Sequence, residues 1–260
     1  MPFVLAGLDE VLAATGNHPF ARSLTRYRHL DVTGWSSQGA VVWVAGDERP
    51  GHGGRSTIAF GPVEPVVELL GQVVHLLPDG GELSLPRDAV DRLPESVRLA
   101  RQVCWDFRWT LTAPPTVPGE DRVRVLGSQD LHHAADLLDR ANPTASERPG
   151  SPSVTRWVAV PDGAGRLLAV AADTSHRGVG HVSSVATDPN ARGQGLGAAV
   201  TAYLARDQVT RFGLATLGLY ADNDPARRLY DRLGYDHALA MASGPLRRGR
   251  PGPRSGVGSG

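Results

Sequence analysis

Hydrophobic periodicity divides the chain into two α/β stretches. In the first, Leu8, Val11, Leu12 and Phe20 form a partial helical stripe that Gly16, Asn17 and Pro19 interrupt, which predicts a short helix within 8–26. Strand-like runs follow at 40–44 and 57–60, separated by a glycine-rich turn at 51–54, and 63–70 has helical spacing. Over 103–111 apolar and polar residues alternate, so Val103, Trp105, Phe107, Trp109 and Leu111 share one face, expected to lie in the core.

The run 113–120 contains Pro114, Pro115 and Pro118 without a hydrophobic period and reads as a stiff linker marking a domain boundary. Beyond it, 122–126 predicts a strand, and 130–141 carries Leu131, Ala134, Ala135, Leu137 and Leu138 at helical spacing. A polar loop at 142–153 leads into strands near 156–160, 166–172 and 180–187, most simply an antiparallel meander. Helices at 198–212 and 225–233, ended by Gly213 and Gly234, flank a strand at 216–220. The stretch 245–260, rich in Gly, Pro, Ser and Arg, is expected to be disordered. The organisation expected is an N-terminal α/β domain over 1–112, a linker over 113–120, a second domain over 121–244 and a tail.

Composition narrows the function. With 41% apolar and 21% charged residues among 260, a packed core is expected. The 27 basic groups, all arginine, balance 27 acidic ones, so no overall positive field recruits nucleic acid or an anionic membrane. Cys104 is the single cysteine and cannot form an internal disulfide. It has no neighbour that would activate it as a nucleophile. The beginning MPFVLAGLDEVL has neither a basic start nor a long apolar run, and a cytoplasmic protein is expected. His132 and His133, adjacent on a helix, are expected to point in different directions; no HExxH or paired-cysteine spacing occurs, and no metal is expected.

The chemistry concentrates in VSSVATDPNARGQGLG over 182–197, a strand that stops at Asp188-Pro189 and passes through Arg192, Gly193, Gln194, Gly195, Leu196 and Gly197 into a helix at Ala198. A helix N-terminus leaves its first N–H groups unpaired, and small residues ahead of it let a diphosphate approach the backbone. Gly193, Gly195 and Ala198 formally satisfy the dinucleotide pattern. Several residues separate strand from glycines, however, and 212–215 lacks the ribose-binding acid such a site needs.

Arg192-x-x-Gly195-x-Gly197 after a strand and Asp188-Pro189 resembles the acyl-coenzyme A signature of the GCN5-related N-acetyltransferase superfamily. The downstream spacing of Asn223, Ala226, Tyr230, Gly234 and Tyr235 resembles a second motif of that superfamily. The resemblance spans roughly 122–241. It implies an α/β (α+β) acyl-CoA N-acyltransferase fold, a mixed and mostly antiparallel sheet flanked by helices, split between the strands at 182–187 and 216–220 to receive the pantetheine arm. The smaller N-terminal α/β domain has an element order compatible with a degenerate copy, as in two-domain members of the superfamily. Acetyl-CoA is the implied acyl donor, held by Val185, Thr187, Arg192, Gly193, Gln194, Gly195, Leu196, Gly197, Ala198, Asn223 and Tyr230.

The resemblance also implies roles. The Val185 N–H stabilises the oxyanion, Thr187 helps to hold the pantetheine amides, Tyr230 protonates the departing thiolate and Asn223 fixes a helix start. Tyr235 is expected in the core. A lysine-like amine costs about 4.6 kcal/mol to deprotonate at pH 7, so an acceptor for its proton is needed. His181, Asp188 and Glu147 are the candidates, and the sequence does not choose among them. The expected activity is direct acetyl transfer to a small-molecule or peptide primary amine, without nucleic acid or membrane partners and with a homodimer as the candidate assembly. The alternative is a non-catalytic acyl-CoA-binding or regulatory module.

Overall fold

A computed structural model describes residues 1–24, 32–47, 54–78 and 80–248. The expected turn at 51–54 falls largely outside them, as does the tail beyond 248. In chain order the first half supplies β1 (Phe3–Ala6), α1 (Leu8–Ala14), α2 (Pro19–Leu24), β2 (Thr33–Ser37), β3 (Ala40–Asp47), β4 (Gly54–Phe60), α3 (Val63–Val73), β5 (Glu82–Pro86), β6 (Val97–Leu99) and β7 (Val103–Thr110). The second half supplies β8 (Arg124–Val125), α4 (Leu131–Ala141), β9 (Arg156–Pro161), β10 (Leu167–Asp173), β11 (Gly180–Thr187), α5 (Leu196–Phe212), β12 (Ala215–Tyr220), α6 (Asp224–Arg232) and β13 (His237–Arg248).

The chain forms two compact units. One comprises Met1–Ala21, Arg28–Trp105 and Ala240–Gly260, the other Arg22–Tyr27 and Asp106–Leu239. This differs from the expected division. The proline-rich run 113–120 lies inside the second unit, where the Pro114 carbonyl accepts from Arg206 and Glu120 pairs with the same guanidinium. Residues 245–248, expected in a disordered tail, end β13: Met241–Pro245 pair with β5 and Leu246–Arg248 with β6. Backbone pairing, to which sequence polarity is blind, orders this segment.

In the first unit the strand order is β1-β2-β3-β4-β5-β13, with β6 on β13; the pairs are antiparallel except β4–β5. Val66, Leu69 and Leu70 of α3 pack on Val42, Val44, Leu83 and Leu85. The interrupted stripe at 8–26 forms two helices, because Gly16 and Asn17 take left-handed φ values of 62° and 53° between them.

The second unit is a sheet with helices on both faces, ordered β7-β12-β11-β10-β9-β8 and antiparallel through β8–β9, β9–β10 and β10–β11. β11 and β12 pair in parallel, and α5 supplies the crossover that parallel neighbours require. The period of two sends Val158 and Val160 to the α5 face, and Trp157 and Ala159 to the α4 face. The meander is as expected. The face predicted for β7 is buried only at its centre, at Phe107 and Trp109, whereas Val103 and Leu111 are 43% and 57% exposed. Asp106 and Thr110 on the opposite face are buried too, so β7 is covered on both sides there.

Both units run strand, helix, three-strand meander, helix, parallel strand: β1-α1-β2-β3-β4-α3-β5 and β8-α4-β9-β10-β11-α5-β12, with α2 as an extra helix between α1 and β2. They differ where a ligand loop would sit. In the first, only Gly61 and Pro62 join β4 to α3, and the rings of His18 and Phe20 lie 4.8 and 5.9 Å from that of Phe60 where β4 leaves β5. In the second, Asp188–Gly195 intervene between β11 and α5.

Candidate active site

The ladder between β11 and β12 covers only Gly180↔Ala215, His181↔Thr216 and Val182↔Leu217. Beyond it the strands part, with Val185 and Thr187 on one side and Leu219 and Tyr220 on the other. The far edge of β11 is irregular: Val170↔Ala186 is followed by Ala172↔Ser183, so three steps along β11 face two along β10, a β-bulge. Ser184 lies within it at φ 50°, a left-handed conformation that costs a non-glycine residue about 1–2 kcal/mol.

The loop after α4 sustains that conformation. The Ser184 hydroxyl accepts from the Glu147 N–H at 2.9 Å and donates to the Glu147 carbonyl at 3.0 Å. Asn142 Nδ2 donates to the Val185 carbonyl at 3.2 Å, and the hydroxyls of Ser146 and Ser183 lie 2.9 Å apart. Sequence reading missed this clamp, since a serine in a left-handed bulge carries no compositional signal.

At the end of β11, Asp188 accepts from the Asn190 N–H at 2.9 Å and caps a short 3₁₀ turn. Arg192, Gly193, Gln194 and Gly195 are exposed. Gly193 and Gly195 take φ 79° and 77°, and an added Cβ at either would meet nothing within 4 Å. No side chain caps α5, and its first backbone bond runs from Ala199 N–H to the Gly195 carbonyl. The N–H groups of Leu196, Gly197 and Ala198 therefore have no acceptor inside the helix, at the positive end of its dipole. Gly197 acts differently: it is buried, and a Cβ there would stand 3.1 Å from Thr187 Oγ1 and 3.5 Å from Leu229 Cδ1. The third glycine is thus a packing residue that seats α5 against β11 and α6, whereas the first two shape an open loop.

Asn223 Oδ1 accepts from the Ala226 N–H at 3.1 Å and caps α6. Tyr230 packs in one cluster with Val182, Leu196, Leu217 and Leu219, against which Val185 also lies. It is 7% exposed, and its hydroxyl has no protein partner among the described residues yet keeps solvent contact. Burial pushes its pKa up to about 12. Tyr235 is fully buried, its ring 5.8 Å from that of Tyr230 and its hydroxyl unpartnered; burial also raises its pKa, and Tyr230 adds to the shift. Helix α6 is tied to β7 through Arg227–Asp106 at 3.3 Å and Asp231–Arg108. The residues expected to line the site, from Val185 to Tyr230, thus gather around one parted strand pair.

The three candidate proton acceptors separate. His181 sits at the closed end of the ladder, its Nδ1 2.7 Å from Thr216 Oγ1. Four residues along a strand, about 13 Å, divide it from Val185. Asp188 is engaged by Asn190 and by Arg140 at 3.6 Å. Glu147 stands beside the bulge. His132 and His133, expected to diverge, have ring centroids 3.8 Å apart.

Residues 162–242 match the family model described as FR47-like protein. A GCN5-related N-acetyltransferase from Sphaerobacter thermophilus is similar over 96% of both chains, at 17% identity and a TM-score of 0.55. One from Kribbella flavida is similar over 94% of this chain and 97% of its own, at 22% identity and a TM-score of 0.52. An acetyltransferase of that family from Colwellia psychrerythraea is similar over 95% of this chain and 100% of its own, at 10% identity and a TM-score of 0.53. No curated protein matches the chain by sequence. The mixed, mostly antiparallel sheet flanked by helices is the fold of these acyl-CoA N-acyltransferase structures. The chain shares its fold with these GCN5-related N-acetyltransferase structures, and the segment that matches the FR47-like model runs from β10 to β13. Among the described residues, no helix is long and apolar enough to cross a membrane.

Proposed function

We propose that the second unit transfers an acetyl group from acetyl-CoA to a primary amine by direct attack in a ternary complex. One observation carries this reading: a sheet parted between β11 and β12 opens beside a helix N-terminus whose uncapped N–H groups follow two left-handed glycines with empty space in front of them. Backbone amides there suit the diphosphate of coenzyme A, and the parted strands suit its extended pantetheine arm. The first unit, which joins β4 to α3 through Gly61 and Pro62, has no equivalent loop.

In this reading the thioester carbonyl lies beside the bulge. Charge collecting on its oxygen in the transition state is met by the Val185 N–H, a contribution of about 3 kcal/mol for one such donor. Tyr230 gives the departing sulfur its proton. A phenol at about 12 facing a thiol of about 8.5 in water would transfer uphill by nearly 5 kcal/mol. The same desolvation raises the thiol, however, and narrows that gap. The strongly held phenolic proton therefore acts first as a hydrogen bond to the leaving sulfur.

Titration calorimetry with acetyl-CoA, followed by thiol release with a panel of primary amines, tests the reading. Saturable binding with turnover is expected. Binding without turnover of any amine would identify a non-catalytic acyl-CoA-binding module, and absence of binding would remove the reading altogether.

A further inference from the structure

Beside β6 the first unit has a cleft of about 510 Å³, lined by one stretch of chain, 90–102. Clefts that hold ligands measure about 300–1,000 Å³. Val90, Leu93 and Pro94 make this one partly apolar, and Arg98 and Arg101 make it basic, against Glu95 as its one acid. Arg92, at the end of the turn before it, is matched by Glu64. Arg98 and Arg101 have no such partner among the described residues, and Glu95 closes an ion pair with neither.

Strand register adds a third arginine. β6 pairs antiparallel with β13, Leu99 opposite Leu246 and Arg98 opposite Arg247. Val97 and Leu246 are buried, so the period of two sends Arg98 and Arg247 together to the exposed face. Like charges directly across a ladder repel, and Arg247 too has no carboxylate partner among the described residues.

The other side of β6 is an open edge. The Ala100 N–H donates to the Pro245 carbonyl at 2.9 Å, so by alternation the N–H and C=O of Leu99, which lines the cleft, point away from β13. Among the described residues neither has a backbone partner, since β6 pairs with β13 alone. The cleft wall is held in place, because the Arg101 carbonyl occupies the space that a side chain at position 244 would need, and Gly244 leaves it free.

We propose that this edge binds an acidic peptide segment of a partner protein as an added strand, its alternate carboxylates meeting Arg98 and Arg101 while Arg247 adds to the attraction. The proposal stands whether or not the second unit transfers acetyl groups. A strand added to a sheet edge gains affinity from main-chain bonds and specificity from every second side chain. Guanidinium forks match carboxylates bidentately, and the apolar part of the cleft suits aliphatic residues between the acids. Four of the 27 basic residues and none of the 27 acidic ones fall in 245–260, so positive charge gathers in the stretch that ends β13, and 1–244 is left at −4. That acidic remainder repels a long polyanion, and no aromatic ring lines the cleft for nucleic-acid bases to stack on. A short acidic peptide is favoured on both counts.

The test uses the full chain and fluorescence anisotropy. The probes are a labelled Gly-Glu-Val-Glu-Val-Glu-Gly peptide, its counterpart with Gln for Glu, the Glu peptide N-methylated at each Glu and Val, and an oligouridylate. The Glu peptide is expected to bind about tenfold or more tighter than each of the other three, and less tightly at high salt. Arg98→Gln combined with Arg247→Gln, both on exposed positions, should weaken it about fivefold or more, whereas Arg122→Gln, an exposed arginine of the second unit, should leave its affinity within about twofold. Failure of the Glu peptide to bind overturns the proposal, as does equal binding of the Glu and Gln peptides or an equal loss in Arg122→Gln. Undiminished binding of the N-methylated peptide overturns the added strand, and tighter binding of the oligouridylate would make the patch a nucleic-acid site instead.

Discussion

Ser184 and Glu147 are joined twice, the serine hydroxyl accepting from the glutamate amide and donating to its carbonyl. The loop after α4 and the bulge of β11 are thereby one rigid element, and the strained φ of 50° at Ser184 is held by that reciprocal pair. Ser184→Ala removes both bonds and leaves a buried N–H and carbonyl unpaired. A loss of about 2–3 kcal/mol is expected in denaturant unfolding, together with lower turnover, since Val185 follows directly. Unchanged stability would mean that the bulge needs no clamp.

Tyr230→Phe keeps the ring in its cluster and deletes only a hydroxyl that no protein group binds. Turnover should fall about 10²-fold or more while acetyl-CoA affinity stays within about twofold. Calorimetry beside a thiol-release assay separates the two quantities. A rate within threefold of the parent would retire Tyr230 as proton donor.

The glycines of the loop should divide by function. Gly195→Val forces a β-branched residue to φ 77° and fills the space before the α5 amides, so acetyl-CoA affinity should fall at least tenfold. Gly197→Val instead drives a side chain against Thr187 and Leu229, and the expected result is a lower Tm by several degrees. Equal effects of both changes on Tm and affinity would contradict the division.

Alkaline pH should unfold the protein through its buried phenols. Tyr230 titrates at about 12 folded against about 10 unfolded, so its contribution, on the order of 3 kcal/mol, is complete below pH 10 and is lost as pH rises from 10 towards 12. Tyr235 shifts in the same direction. Stability measured by urea unfolding should decline over that window, and less steeply in Tyr230→Phe. An identical decline in parent and variant would show that Tyr230 is not the group responsible.

Asp173 is fully buried and accepts from Arg156 Nε, Gln208 Nε2, and the amide and hydroxyl of Ser175. It lies at the closed end of the sheet, where β10 pairs with Val182, away from the glycine loop. Asp173→Asn should cost about 3 kcal/mol or more in stability and leave acetyl-CoA affinity unchanged. A change in affinity without a change in stability would place Asp173 in the site instead.

The sequence by itself determined the strands and helices of the second unit to within a few residues. Their periodicity, glycine stops and Asn223 cap act over a few neighbouring positions, and the two glycine-containing motifs stand in the chain where the fold needs them. The uncapped start of α5 behind Gly193 and Gly195 was legible as well, since unpaired amides at a helix start depend on local backbone alone. Tertiary structure decided what depends on partners distant in sequence. It ordered Pro245–Arg248 by pairing them with β5 and β6, buried Asp106 and Thr110 on the supposedly polar face of β7, and assigned Gly197 to packing. Only the fold placed Glu147 against Ser184, 37 residues away, and moved His181 to the end where β11 and β12 remain joined. A bulge in one strand is sustained by a loop from another element, and composition along the chain holds no trace of that meeting.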